Sequence, residues 1–107
     1  MLKKHTYGND SFFIMEGSLF AKIAAKILRS KQMAVTLNRT IHLTGVSCAE
    51  FLKNERWVRH EICHIQQIKR LGWIKFAFHY LVSSMRYGYY QNPFEVEARD
   101  AEKQSSL

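Results

Sequence analysis

The sequence has little of what marks a disordered or disulfide-rich chain. It contains one Pro, five Gly and two Cys, and Cys48 and Cys63 form no Cys-x-x-Cys pair. Because hydrophobic residues make up 47% of the chain, the composition excludes a low-complexity linker and favours a packed core. We therefore expect residues 1–107 to form a single domain with both thiols reduced.

Long hydrophobic runs and acidic residues are also scarce. No stretch of about 18 uncharged apolar residues occurs, so no transmembrane helix is expected. The N-terminus lacks the apolar core and cleavage site of a signal peptide, which predicts a cytoplasmic protein. The 9 acidic residues are outnumbered by 16 basic ones, giving a formal charge of +7. Because the basic residues are scattered and no recognised nucleic-acid motif is present, they predict a solvated basic surface rather than a nucleic-acid groove.

The first half of the chain contains a helical pattern followed by a strand pattern. Within residues 18–31, apolar side chains recur at helical spacing at Leu19, Ile23, Ile27 and Leu28. We expect this basic amphipathic helix to cover the core, and a helix lying on a membrane surface is the alternative. Residues 33–43 contain two short β-branched segments on either side of Asn38 and Arg39, which predict a hairpin.

Capping residues divide the next part of the chain. Ser47 and Glu50 match a capping box and predict a short helix. Asn54 is suited to cap a longer helix over residues 55–70, and Gly72 is suited to end it.

The last part of the chain predicts two more helices. Residues 73–86 are apolar and aromatic on several sides, which predicts a mostly buried helix. Asn92 and Pro93 open a final helix, and residues 103–107 are expected to fray. The predicted fold class is α+β, with an N-terminal helix, a small β-hairpin or sheet, and an active-site helix packed against two further helices.

Residues 60–64 read His-Glu-Ile-Cys-His, which is an HExxH motif. Because positions i and i+4 share a helix face, His60 and His64 can bind one zinc ion and leave room for a third protein ligand and a water. Glu61 lies about 100° around the helix, beside the ligands, where it can act as general base on that water. The motif therefore predicts a zinc site, and surface histidines on a basic helix are the alternative.

A third ligand must come from another segment, and Glu95 and Glu97 are the candidates. Two residues apart on a helix, they point about 200° apart and cannot both face the metal. Alternatively, Glu95 closes a capping box with Asn92, and Glu97 pairs with Arg99 or Lys103 on the surface.

The motif and the downstream segment together resemble the gluzincin pattern, in which an E-x-x-A helix follows HExxH. This pattern occurs in ImmA/IrrE-type peptidases and in the CAAX-protease and HtpX group. Between residues 36 and 102 the chain is more similar still to short, uncharacterised bacterial metallopeptidase domains with HExxHxxQ before P-x-E-x-E-A. The residues that carry the resemblance are His60, Glu61, His64, Gln67, Pro93, Glu95, Glu97 and Ala98.

The resemblance implies a minimal zincin-like fold in which Glu95, three residues before Ala98, is the third ligand and Glu97 the reserve. It also implies that an extended peptide substrate adds to a strand edge within residues 35–43. CAAX-protease-like members carry an Asp four residues after the ligand to support a histidine. Arg99 stands at that position in this chain, so the partner of the imidazoles is left unassigned.

Other polar residues near the motif have two interpretations each. Gln67 either leans toward the site or faces solvent, and Cys63 is either a thiolate ligand or a small buried residue. Three tyrosines before the final helix are candidate donors to a tetrahedral oxyanion, with a packed aromatic cluster as the alternative: Tyr87, Tyr89 and Tyr90.

The sequence thus predicts a zinc peptidase that acts on peptides or proteins. One Zn²⁺ is held by His60, His64 and Glu95, and Glu61 is the catalytic base. One alternative is a non-catalytic zinc-binding interaction module, because so short a chain leaves little surface for substrate. A second is a basic protein that binds nucleic acid or a membrane surface, given the +7 charge and the helix over residues 18–31.

Overall fold

A computed structural model of the chain describes residues 2–103, which form four strands and five helices. The elements in chain order are β1 Leu2–Tyr7, β2 Asp10–Met15, α1 Leu19–Ile27, β3 Met33–Leu37, β4 Thr40–Thr44, α2 Cys48–Lys53, α3 Glu55–Leu71, α4 Trp73–Tyr87 and α5 Pro93–Ala101. The predicted α+β class is confirmed. Among the described residues, no helix combines the length and the apolar character needed to span a membrane.

The strands form one sheet in the order β1-β2-β4-β3. β1 and β2 form one antiparallel hairpin and β3 and β4 another, as predicted for residues 33–43. β2 and β4 are parallel neighbours. Parallel strands need a crossover, and α1 lies in the connection between β2 and β3. This topology leaves β3 at one edge of the sheet.

The hydrophobic core lies on one face of this sheet. Alternate residues of β2 and β4 point to it, as the two-residue period of a strand requires. They pack against α2 and α3 in a cluster made of Phe12, Ile14, Ile41, Leu43, Phe51, Val58, Ile62 and Ile65. On the opposite face, His42 of β4 contacts the start of α1, where its Nδ1 atom lies 2.8 Å from Oγ of Ser18. The sheet therefore separates α1 from α3.

The helix boundaries follow the capping residues. Ser47 and Glu50 form the predicted capping box, and Asn54 accepts a hydrogen bond from the backbone N–H of Trp57 at the start of α3. Gly72 separates α3 from α4 with a φ of 84°, a conformation that favours glycine. The fraying predicted for residues 103–107 falls, from residue 104 onward, outside the described residues.

Three expectations about the fold were wrong. The chain begins with the β1–β2 hairpin and not with a helix. The apolar stripe of α1 does not cover the core, because Ala21 and Ala25 form its buried side while Ile23 is exposed. Helix α4 is not mostly buried either. It packs against α3 along one side, so that Phe76 is its one fully buried residue.

Candidate metal centre

One side of helix α3 packs in the hydrophobic core, and the opposite side carries the candidate site. Val58, Ile62 and Ile65 face the core, whereas His60 and His64 face α5. The two imidazole rings lie one helical turn apart with their centroids separated by 5.0 Å. The HExxH spacing thus produces the paired imidazoles that the sequence predicted.

Helix α5 brings the Glu95 carboxylate to these imidazoles. Its Oε1 atom lies 2.9 Å from Nε2 of His60 and 3.2 Å from Nε2 of His64. The ligand atoms of the three residues all lie within 4.8 Å of one another, and Glu95 and His64 are buried. Two imidazole nitrogens and a carboxylate oxygen in this arrangement can hold a metal ion, with a coordination position left over.

The capping box considered for Glu95 does not form, and Glu97 is an exposed, ion-paired carboxylate whose partner differs from the two predicted. Asn92 caps α5 by accepting from the N–H of Phe94, and its own backbone N–H, which a capping box would pair with Glu95, donates to the Tyr89 carbonyl instead. Glu97 lies outside the metal-binding group and accepts a hydrogen bond of 2.7 Å from the Gln67 amide. Among residues 2–103 its ion pair is with Arg70, at 3.4 Å, and not with Arg99 or Lys103.

The side chain of Glu102, which the sequence analysis did not identify, supports His60. Its Oε2 atom lies 2.6 Å from Nδ1 of His60. A carboxylate accepts hydrogen bonds, so Nδ1 carries a proton, and once Nε2 gives up the proton that it shares with Glu95 its lone pair faces the centre. Arg59 holds the Glu102 backbone in place by donating to its carbonyl oxygen at 2.7 Å.

Gln67 supports His64 in the same way. Its amide group donates from Nε2 to the Phe94 carbonyl at 3.0 Å and to Glu97, which leaves Oε1 as an acceptor. This Oε1 atom lies 2.9 Å from Nδ1 of His64, so that nitrogen carries the proton. Both imidazoles are thereby fixed in the tautomer that presents Nε2 to a metal. Of the two interpretations of Gln67, the one in which it leans toward the site is confirmed.

Tyr80 of α4 is in direct contact with the site, and of the three candidates from the sequence Tyr89 also interacts with Glu95. The Tyr80 hydroxyl donates to Oε2 of Glu95. Burial, and then the negative charge of Glu95, raise the pKa of Tyr80 above its usual range, so the phenol stays protonated. Tyr87 and Tyr90 are exposed and do not form a packed cluster. Tyr89 is about half exposed, but burial and the charge of Glu95 also raise the pKa of its phenol.

Glu61 lies beside the metal-binding group and not within it. Its side chain is buried, and burial raises its pKa above the usual value despite the opposing influence of His64 and His60. The hydroxyl of Thr36, on edge strand β3, donates to Oε1 of Glu61 at 2.7 Å. One carboxylate oxygen is thus fixed by the sheet edge while the group keeps a raised proton affinity, as suits a general base.

The cluster holds protons tightly when no metal competes. Burial opposes protonation of His64, but the hydrogen bond to Glu95 and the charges of Glu61 and Glu95 outweigh it and raise the pKa of His64 to about 9. The same balance raises the pKa of His60. Burial also opposes ionisation of Glu95, yet hydrogen bonds from both histidines hold its pKa well below its usual range.

Cys63 is a small buried residue and lies outside the candidate metal-binding group. Burial, with the charge of Glu97, raises the pKa of its thiol to about 11, so the sulfur stays protonated at neutral pH. The Nε2 atom of Gln67 lies 3.7 Å from the Cys63 sulfur.

Comparisons of the chain with protein-family models, with curated proteins and with solved structures find no match. The chemistry of the site itself is therefore the basis for assigning a function.

Proposed function

We propose that this protein is a zinc-dependent peptidase that hydrolyses peptide bonds at the His60, His64 and Glu95 group. The observation that carries the proposal is the convergence of the three ligand atoms within 4.8 Å, with a buried carboxylate, Glu61, next to them. The resemblance of the HExxH and E-x-x-A segments to gluzincins supports the same assignment.

The donor set favours zinc over other divalent ions. Two imidazole nitrogens and one carboxylate oxygen match the ligands of catalytic zinc in His₂Glu peptidases, whereas Mg²⁺ and Ca²⁺ prefer all-oxygen sites. Each imidazole donates a hydrogen bond from its far side, His60 to Glu102 and His64 to Gln67, and these are the outer partners that such ligands normally have. A bound zinc ion would supply an acidified water and polarise the scissile carbonyl.

Glu61 has the properties required of the proton carrier in this reaction. Its raised pKa lets it take a proton from the attacking water and deliver it to the departing amine nitrogen. The hydrogen bond from Thr36 fixes one carboxylate oxygen and leaves the other for this proton. Tyr80 contributes by holding Glu95 through its second carboxylate oxygen.

Edge strand β3 is suited to align an extended substrate. It is the outer strand of the sheet beside β4, and its Thr36 is in direct contact with Glu61. An edge strand offers unpaired backbone N–H and C=O groups, to which a peptide can add as a further strand. A peptide bound in this way would lie next to the proposed base.

The test is hydrolysis of fluorescently labelled, denatured casein by the zinc-loaded protein. We expect activity that a chelator removes and zinc restores, and we expect Glu61→Gln to lower it by about 10²–10⁴-fold while zinc content persists. Glu16→Gln is the matched control, because this exposed carboxylate lies outside the candidate metal-binding group and its supporting contacts. Equal background hydrolysis by wild type and Glu61→Gln, with zinc bound to both, would instead support a non-catalytic zinc-binding module.

A further inference from the structure

Helix α4 presents a row of large apolar side chains to solvent. We call this row the α4 apolar face, and its members are Ile74, Phe78, Leu81, Val82 and Met85. Their exposed fractions are 73%, 63%, 62%, 43% and 81%. Because most of these positions are three or four residues apart, they lie on one side of the helix over about three turns. A contiguous exposed apolar surface of this extent is typical of a site that binds another molecule.

The opposite side of α4 already holds the helix in the fold. Phe76 packs against the ring of Phe94 on α5, with 5.1 Å between the ring centroids, and also meets His64. Tyr80 binds Glu95, and the Tyr80 carbonyl accepts a hydrogen bond from Asn92. The α4 apolar face is therefore not required for folding contacts within the described residues.

The charged residues of α4 itself are all of one sign. Residues 73–87 contain no Asp or Glu, and Lys75 and Arg86 lie on one flank of the apolar row. Among the ion pairs of the described residues, neither Lys75 nor Arg86 takes part in one. The aromatic residues Trp73 and Tyr87 stand at the two ends of the helix, and each is about half exposed.

We propose that the α4 apolar face docks on an anionic lipid bilayer. A helix with an apolar face, basic residues beside it and aromatic residues at its ends is suited to lie in the plane of the lipid headgroups. The formal charge of +7 favours a bilayer over a second copy of the chain. Two positively charged copies would repel each other, whereas anionic headgroups attract the protein. Docking would hold the candidate metal centre about one helix diameter from the bilayer.

The experiment is sedimentation of the protein with vesicles of phosphatidylcholine and phosphatidylglycerol at 3:1, compared with pure phosphatidylcholine. We expect binding to the anionic vesicles that weakens with salt and persists after chelation of metal. The double variant Phe78→Ser/Leu81→Ser should weaken binding at least about tenfold, because two exposed apolar side chains lose their burial in lipid. Lys75→Gln and Arg86→Gln should each weaken it about fivefold.

The matched control is Leu19→Ser/Ile23→Ser, which removes similar exposed apolar area from α1 on the other side of the sheet. This control should bind vesicles like wild type. Circular dichroism and zinc binding verify that each variant is folded.

The proposal is overturned if wild type does not bind the anionic vesicles, or if the α1 variant loses as much binding as the α4 variant. Light scattering that shows a dimer dissolved by Phe78→Ser/Leu81→Ser would overturn it too, in favour of a second copy. Because vesicle binding does not require metal, a negative result in this test would not count against the proposed peptidase activity, which the casein assay tests separately.

Discussion

The Oε1 atom of Gln67 lies 2.9 Å from Nδ1 of His64, three residues earlier on the same helix. Because this contact fixes the ring tautomer, Gln67→Ala should lower zinc affinity by about 10–100-fold, as removal of such outer partners does. Competition with a chromophoric chelator measures the change. The neighbouring Gln66 is exposed and contacts Asp10 instead, so Gln66→Ala is the control and should bind zinc like wild type. Equal affinities in the two variants would show that Gln67 does not position His64.

The choice between Glu95 and Glu97 as third ligand can be tested with the same measurement. Glu95→Gln should reduce zinc affinity by more than the roughly 10–100-fold expected for loss of an outer partner, because it removes a charged donor atom from the centre. Glu97→Gln should have only a small effect, since Glu97 lies at half exposure beside Arg70. The reverse order of effects would assign the metal to Glu97.

The motif spacings were enough to predict which candidate ligands lie together but not the residues that support them. His60, Glu61 and His64 are four residues or fewer apart on one helix, so local geometry sets their relation. Gln67 carried a usable signal, because three residues after His64 is again the same helix face. No signal in the sequence pointed to Glu102 or Tyr80, because their contacts depend on how α5 and α4 pack against α3.

The exposure of α4 was unpredictable for a related reason. An all-round apolar helix normally indicates burial, and residues 73–87 fit that description. Burial, however, depends on how many neighbours surround a helix, and α4 packs mainly against α3. The β1 strand was missed because its polar sequence, LKKHTY, contains few apolar residues to mark the buried face of an edge strand.

The contact between Thr36 and Glu61 predicts a change in the pH profile of peptidase activity. The Thr36 hydroxyl stabilises the charged form of Glu61, so Thr36→Val should raise the Glu61 pKa further. The acid limb of kcat/KM then moves to higher pH, and the rate at neutral pH falls by about tenfold. Thr6→Val, at an exposed position on β1, is the control. Zinc affinity should not change in either variant, and an unshifted acid limb in Thr36→Val would contradict the role of Thr36.

The protonated histidines predict that the metal-free and zinc-bound proteins respond to pH in opposite directions. The pKa of His64, about 9 in the fold, is above the value of about 6.5 in an unfolded chain. Its contribution to stability is therefore complete below about pH 6.5 and is lost as pH rises through 9. The low pKa of Glu95 adds stability above about pH 4.5 that is lost as pH falls through its folded pKa. Metal-free protein should thus lose stability from pH 6.5 to 9.

Zinc reverses this trend because it binds the unprotonated imidazoles, so its stabilising effect grows as pH rises. Thermal unfolding between pH 5 and 9, with and without chelator, measures both curves. His64→Gln should flatten the slope of the metal-free protein. Parallel curves for the metal-free and zinc-loaded proteins would show that the cluster does not exchange protons for metal.

Helix α5 and its C-cap residue Glu102 together contact both nitrogens of a single imidazole. Glu95 faces Nε2 of His60 and Glu102 faces Nδ1, and the two acidic residues are seven positions apart, which is close to two full turns. Inserting or deleting one residue between them would rotate Glu102 by about 100° and detach it from the ring, even though every side chain of the site were kept. The number of residues between the two carboxylates is therefore constrained as tightly as their chemical identity.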